Sequence, residues 1–453
     1  MRRSILSLIL GVILVLVMPA FAFDPLKDIK VGGEFRVRGL STNNLTDWKD
    51  TKDIAAQDDL DDHVVTRTRV SLSANIVEDV EGSVLIEHNP DEMAEKWATN
   101  GIHSVNDVEG KVYVRRACLK VKNIAELVDL TVGKQEYGKQ YQEWIIYVDK
   151  LDAAKIEASL GPVDITALGA KMEESEDIKD PADIDKDGNI DEADGIPDYL
   201  QGFGRNRDTD LYGLSIMTST PLPNSKICGY FYNSIENRSI KDNIGNNTIL
   251  GVKLEGEIPM ASKINYLAEV AMQTGDEPGV AGRDLQGMGF RISGGYETSM
   301  ADIGDIGLSL VYIYGSGDNA GTTDKNEAFT GISPVFSVIP IDRVEYTTVL
   351  YDYDRMNDLN NISNRGIVAV NANFTPAFFN KLNTGLTWAN YTKNEVAAGA
   401  KDDIGSEIDL TATYIHSDKV SLGLMYGIFN PGDATVVDGD PASKFMTEVK
   451  IAF

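Results

Sequence analysis

The sequence predicts an all-β fold, a transmembrane antiparallel up-and-down β-barrel of about eighteen strands. Three observations predict it: an export signal at the N-terminus, a two-residue alternation of apolar and polar positions along the rest of the chain, and connections that alternate between short and long.

The signal is the first element. Arg2 and Arg3 precede an apolar run from Ile5 to Val17, and Ala20-Phe21-Ala22 forms a small-residue cleavage site. Residues 1–22 therefore read as a secretory signal peptide and 23–453 as the exported mature chain. The run is shorter than the ~20 residues a spanning helix needs. The 453-residue chain carries 42 Lys+Arg against 70 Asp+Glu. Removal of the signal, which holds two Arg and no acid, leaves 40 against 70, a net charge of −30. Nucleic acid is excluded as a partner, since phosphate binding needs a basic face. The two cysteines, Cys118 and Cys228, lie far apart on different predicted strands, so no disulfide scaffold is indicated.

After the signal, segments of about ten residues alternate in polarity, as strands with two differently solvated faces must. In 250–258, Leu250, Val252, Leu254 and Ile258 share one face, and Lys253, Glu255 and Glu257 the other. In 264–273, Ile264, Tyr266, Ala268, Val270 and Met272 oppose Asn265, Glu269 and Gln273. The same pattern recurs in 408–414, 420–428 and 445–453. Strands are predicted near 29–41, 62–77, 80–90, 109–121, 126–135, 151–159, 162–173, 209–219, 224–235, 246–258, 262–274, 286–299, 303–315, 363–375, 380–393, 406–416, 419–429 and 443–453. Their number is even, as is usual for single-chain bacterial barrels.

A soluble sandwich would alternate in the same way, and the connections decide between the two. Those after even-numbered strands are short, such as VED, PLPN, PMAS and SDK, and mark the periplasmic side. Those after odd-numbered strands are mostly longer and are predicted to be extracellular, with 174–208 and 316–362 the longest. Tyr266, Tyr296, Tyr312, Tyr314, Trp388, Tyr414 and Tyr426 fall near strand ends on the apolar face, where a ring can sit among headgroups. Phe453 ends the chain, preceded at two-residue steps by Ile451, Val449, Thr447 and Phe445. A last strand ending in an aromatic residue is similar to the signal read by the outer-membrane barrel assembly machinery, so Phe453 is the expected assembly signal.

VRRACLKV (114–121), VGKQEYGKQYQEW (132–144), EVAMQTGD (269–276) and YIYGSGD (312–318) resemble, in order and spacing, the alginate-export-like porins. The resemblance implies an eighteen-stranded outer-membrane barrel of a Gram-negative bacterium. It also implies a small or oligomeric cargo, often an anionic saccharide.

Function must lie in the lumen, because lipid-facing positions report only on anchoring. Opposite the apolar set, the first two strands contribute Arg36, Arg38, Arg67 and Arg69. Arg115 and Arg116 are adjacent, so one of them, with Arg116 the candidate, faces inward and extends that wall. Lys253, Glu255, Glu269, Arg291 and Asp409 complete the expected pore lining. A basic strip opposed by acids would set up a transverse field that orients anionic or dipolar solutes. If the same charges are paired across neighbouring strands, they keep the lumen wet and select nothing.

Within the first long loop, DIDKDGNIDEAD (183–194) fits a calcium loop. Asp183, Asp185 and Asp187 stand at positions one, three and five, with Gly188 at the turn. Asn189 offers its carbonyl at seven, and Asp191 and Asp194 occupy nine and twelve. The expected cofactor is one structural Ca2+. The four histidines have no partner motif, and no G-x-S-x-G, H-E-x-x-H or C-x-x-C occurs, so no catalytic residues are assigned. The predicted function is a water-filled channel for passive diffusion of small solutes. The alternative is a barrel used as a scaffold or sheath around a protein partner such as a cytochrome. Outer-membrane lipid, lipopolysaccharide and the assembly machinery are the other expected partners.

Overall fold

The computed structural model describes residues 27–44, 60–88, 112–135, 151–173, 207–238, 244–258, 262–277, 282–319, 321–332, 363–435 and 439–453. Residues 1–22 and the loop 183–194 lie outside them. In chain order the strands are β1 (Lys27–Asn43), β2 (Leu60–Val77), β3 (Val80–His88), β4 (Val112–Ile124), β5 (Val128–Gln135), β6 (Leu151–Leu160), β7 (Val163–Glu173), β8 (Arg207–Ser219), β9 (Ser225–Arg238) and β10 (Ile244–Ile258). There follow β11 (Lys263–Asp276), β12 (Asp284–Leu285), β13 (Met288–Met300), β14 (Gly304–Gly315), β15 (Lys325–Asn326), β16 (Arg365–Pro376), β17 (Leu382–Thr392), β18 (Asp403–Ser417), β19 (Val420–Pro431) and β20 (Ala442–Ala452). Of these twenty, β12 and β15 have two residues each, and the other eighteen are the staves of the barrel.

Each stave pairs antiparallel with the next, and β1 pairs with β20 from Glu34↔Ala452 to Asn43↔Ser443, which closes the barrel. Closure leaves no unpaired strand edge, the condition for crossing a bilayer with strands. The predicted lipid face is the exposed one. Leu250, Val252, Val270, Met272, Leu308, Leu310, Leu422, Leu424, Phe445, Val449 and Ile451 all point outward, and Tyr296, Tyr312, Trp388 and Tyr426 lie among them. A charged group at the middle of such a face would cost roughly 2–4 kcal/mol, which explains why alternation is kept so strictly. At one end the connections are tight. Asp79 (φ 63°), Gly161 (φ 65°) and Asn224 (φ 49°) take the left-handed backbone those turns require, a conformation that Gly, Asn and Asp adopt most readily.

The last residue completes the seam. The Gly33 amide donates to the Phe453 carbonyl at 2.8 Å, and the Phe453 amide donates back at 3.1 Å. The Phe453 ring covers Gly33 so closely that a Cβ there would collide with it.

Residues 316–362 were expected to form a long extracellular loop; its described residues, 316–319 and 321–332, pack against the inward face of the barrel at that end. Gln273 on β11 and Asn247 on β10 both lie on the inward face, alternating with exposed Met272 and with Thr248 beside exposed Leu250. The Asn247 side chain donates to the Gly331 carbonyl at 2.7 Å, and Gln273 makes two 2.8 Å bonds to Thr330. Burial is the physical reason: Phe329 and Ile332 are fully buried apolar side chains that an external loop would leave in water.

Candidate functional site in the barrel lumen

All ten predicted pore-lining residues lie on the inward face. On β1 and β2 the register sets Arg36 directly opposite Arg67, and Glu34 opposite Arg69. Two-residue periodicity then brings Arg38 onto the same wall. On β4, a register shift between Leu85 and Ile86 of β3 leaves Arg115 as an extra residue, while Arg116 pairs with inward-facing Leu85. The bulge therefore turns both arginines inward, where simple alternation allowed only one. Arg115 is buried and lies 3.3 Å from Glu87.

These cations are partly neutralised. Arg67 is bonded to Glu34, which also meets Lys450 at 3.1 Å. Arg69 is bonded to Glu87, and Arg38 meets Glu448 at 2.7 Å. Among the described residues this wall carries Arg36, Arg38, Arg67, Arg69, Arg115, Arg116 and Lys450 beside Glu34, Glu87 and Glu448, with Glu81 of β3 joined to Lys122 of β4 on the same face.

In the ring of eighteen staves, β10 is nine removed from β1, so it stands diametrically across the lumen. There the balance reverses. Lys253, Glu269 and Arg291 are register neighbours on β10, β11 and β13, and Glu255, Glu257 and Glu297 lie toward the short-turn end. Glu269 is buried and accepts a 2.9 Å bond from the Tyr230 hydroxyl, and Lys253 lies 2.8 Å from Glu255. The geometry thus opposes a basic wall to a more acidic one.

Between these walls, β14, β16 and β17 present small neutral polar groups near mid-barrel. The Asn371 amide donates to Ser309 at 3.1 Å, and the Thr387 hydroxyl donates to Asn371 at 2.8 Å. Asn265, Asn373, Ser293, Ser309, Gly295 and Gly307 join Glu255, Glu257 and Glu297 around a cavity of about 610 Å³. Asp409, also predicted to line the pore, is buried in the wall beside Thr387 rather than standing in that space.

Toward the long-loop end the inward face carries an apolar cluster, which the polar-lumen expectation missed. Leu168, Leu211, Tyr232, Ile249, Ala271, Ile313, Ile367, Tyr391 and Phe429 are buried there in one cluster with Phe329 and Ile332. A signal for it exists in the sequence: 310–314 (LVYIY) and 366–370 (GIVAV) carry almost no polar residue on either face, the mark of strands buried on both sides.

Residues 199–448 match the family model described as alginate export. Among curated proteins none matches the chain in sequence. Solved structures are similar in fold. Pseudomonas aeruginosa OpdK, solved with vanillate, superimposes with a TM-score of 0.55 at 10% identity, covering 94% of this chain and 99% of that one. Pseudomonas aeruginosa OpdQ gives 0.56 at 10% identity over 94% and 98%. OccK2 (OpdF) from the same species, solved in complex with glucuronate, gives 0.54 at 10% identity over 95% and 99%. With more than half its length matched by the family model, and with a closed barrel whose outward face is apolar, the chain belongs to the alginate-export family of Gram-negative outer-membrane β-barrels.

Proposed function

We propose that this barrel is a passive outer-membrane channel for small solutes, with a net preference for anions. The observation that supports this most directly is the arginine-rich inward wall of β1, β2 and β4, facing the glutamates of β10, β11 and β13. Charge on a pore wall biases permeation, because screening inside a narrow wet pore is incomplete. Two of the fold's neighbours were solved with vanillate and glucuronate, both carboxylates, which accords with a basic wall. The amides and hydroxyls of Asn265, Asn373, Ser293 and Ser309 suit a hydroxylated solute such as a saccharide.

The test is ion selectivity in planar bilayers. Replacing Arg36, Arg38, Arg67 and Arg69 by Ser should shift the reversal potential toward cations at low salt, and the shift should shrink as salt rises. An unshifted potential at low salt would refute anion selection by this wall. A barrel that never conducts until a bound partner is stripped from it would instead be a sheath. We also propose that the segment 183–194 binds one calcium ion, on the strength of its ligand spacing.

A further inference from the structure

We infer that the outer face of the barrel carries a site for one anionic phospholipid of the periplasmic leaflet, its acyl chain lying in a groove over Ala372 and its phosphate meeting Lys381. The site is independent of what the lumen conducts. The groove follows from one short side chain among large ones. On β16, Ala372 has Leu308 of β14 as its register partner on one side and Leu386 of β17 on the other, and Leu386 is paired in turn with Leu410 of β18. All three leucines are exposed on the lipid face. One row nearer the short turns, Phe374 lies between Ile306 and Thr384. A methyl group set among such neighbours leaves a hollow, and Ile306, Ala372, Phe374, Thr384, Leu386 and Leu410 line a cavity of about 550 Å³. The Thr384 hydroxyl is already spent on the Phe374 carbonyl, to which it donates at 3.0 Å. The hollow therefore offers apolar contact alone. A hydrocarbon chain seated in it touches wall on several sides, where a lipid on the flat surface touches one, and so gains dispersion contacts.

The groove ends where a headgroup would sit. Ala372 is four residues from Pro376, the last residue of β16, or about 13 Å along the strand at ~3.3 Å per residue, within the ~15 Å depth of one leaflet. Beyond Pro376 the 3-10 turn Ala377–Phe379 leads to Lys381, just before β17, whose Thr384 and Leu386 wall the groove. Phe379 stacks on Tyr414 of β18 with ring centroids 5.5 Å apart, and Tyr414 lies 6.1 Å from the His416 ring. Tyr414 is on the groove's own face, because it continues the outward series of Leu410 and Ala412. Phe378 is 90% exposed, an apolar ring that the headgroup region would cover and water would not. The Lys381 ammonium donates to the His416 carbonyl at 3.2 Å, which holds it beside these rings with two further donors for phosphate oxygens. Asp418 and Lys419 of the adjoining turn offset one another, which leaves Lys381 to favour an anionic headgroup.

The experiment uses Trp388, which follows Leu386 on the same face of β17 and is exposed to lipid, as the reporter. Trp48, Trp97 and Trp144 are replaced by Phe in the full mature barrel, and each variant is first shown to be folded by heat-modifiable migration on gels. In phosphatidylcholine bilayers, a dilute admixture of dibrominated phosphatidylglycerol should quench Trp388 fluorescence several-fold more than the same admixture of dibrominated phosphatidylcholine. Ala372→Leu, which fills the groove, should make the two lipids quench equally, and Lys381→Gln should reduce the difference at least by half. Equal quenching by both lipids in the parent would overturn the site. A preference kept by Ala372→Leu would overturn the groove, and one kept by Lys381→Gln would overturn the headgroup contact. Weak quenching by both lipids in a parent that migrates as an oligomer, dissociated by Ala372→Leu, would assign the groove to a second copy of the chain instead.

Discussion

At the scale of single residues, two-residue periodicity told more about side-chain direction than about side-chain partners. Arg36, Arg38, Arg67 and Arg69 face inward as alternation requires, yet their pairing with Glu34, Glu87 and Glu448 depends on which strands are neighbours and in what register. Arg115 was missed for a different reason. A bulge adds one residue to one strand, so the parity of the sequence is broken where the backbone kinks, and nothing in the alternation marks the break. The proposed calcium segment, 183–194, is the opposite case, a local pattern whose ligand order is written along the chain. Carboxylates at positions one, three, five, nine and twelve around Gly188 can supply six or more oxygens to a cation that accepts them at about 2.3–2.6 Å. Without the ion, repulsion among Asp183, Asp185, Asp187, Asp191 and Asp194 should favour open conformations that proteases cut. Calcium is therefore expected to slow digestion of the purified barrel in this segment, magnesium to do so poorly, and an Asp185→Ala, Asp187→Ala variant to lose the protection. Equal cleavage rates with and without calcium would mean an acidic loop and no site.

At the scale of elements, every predicted strand has a stave in the barrel, and most predicted ends fall within a few residues of the observed ones. The lipid enforces this legibility. A strand with apolar side chains outward and polar ones inward has only one register that fits, because a slip of one residue would turn each charge into the bilayer. The two-residue strands β12 and β15 were illegible, since two residues carry no period. The final strand adds a contact the sequence could not show: the Phe453 ring lies on Gly33 of β1, across the seam where the first and last staves meet. The residue expected to be the assembly signal thus also makes the closing contact of the barrel. Deleting Phe453, or replacing it with a charged residue, should leave export across the inner membrane intact and strongly reduce the heat-modifiable form in the outer membrane. Gly33→Val, which leaves the C-terminus untouched, should weaken closure through collision with the ring and lower the temperature at which the barrel unfolds on gels. If the Phe453 variants assemble normally, the residue is neither signal nor seam.

At the scale of the whole molecule, the barrel has two different ends. The connections β2–β3, β4–β5, β6–β7, β8–β9, β10–β11, β13–β14, β16–β17 and β18–β19 are all short, and they fall at one end because antiparallel staves return there in strict succession. The other end carries the long connections, the segment packed against the inner wall and the apolar cluster. Loop length alone predicts that end to be extracellular. Length cannot tell a loop that leaves the barrel from one that folds against its inner wall. The apolar runs 310–314 and 366–370 were the available clue, since a strand facing lipid on one side and a packed interior on the other loses its alternation. Sidedness itself follows from assembly: outer-membrane barrels keep short turns in the periplasm and long loops outside. With Cys118 and Cys228 replaced, a membrane-impermeant thiol reagent applied to intact cells should therefore label Ile190→Cys in the long acidic loop and spare Leu222→Cys in the turn between β8 and β9. Leu222→Cys should react only after the outer membrane is permeabilised. Phe329→Cys, buried in the lumen, should react slowly in both preparations and quickly once the barrel is heat-denatured. Labelling of residue 222 but not 190 on intact cells would invert the barrel.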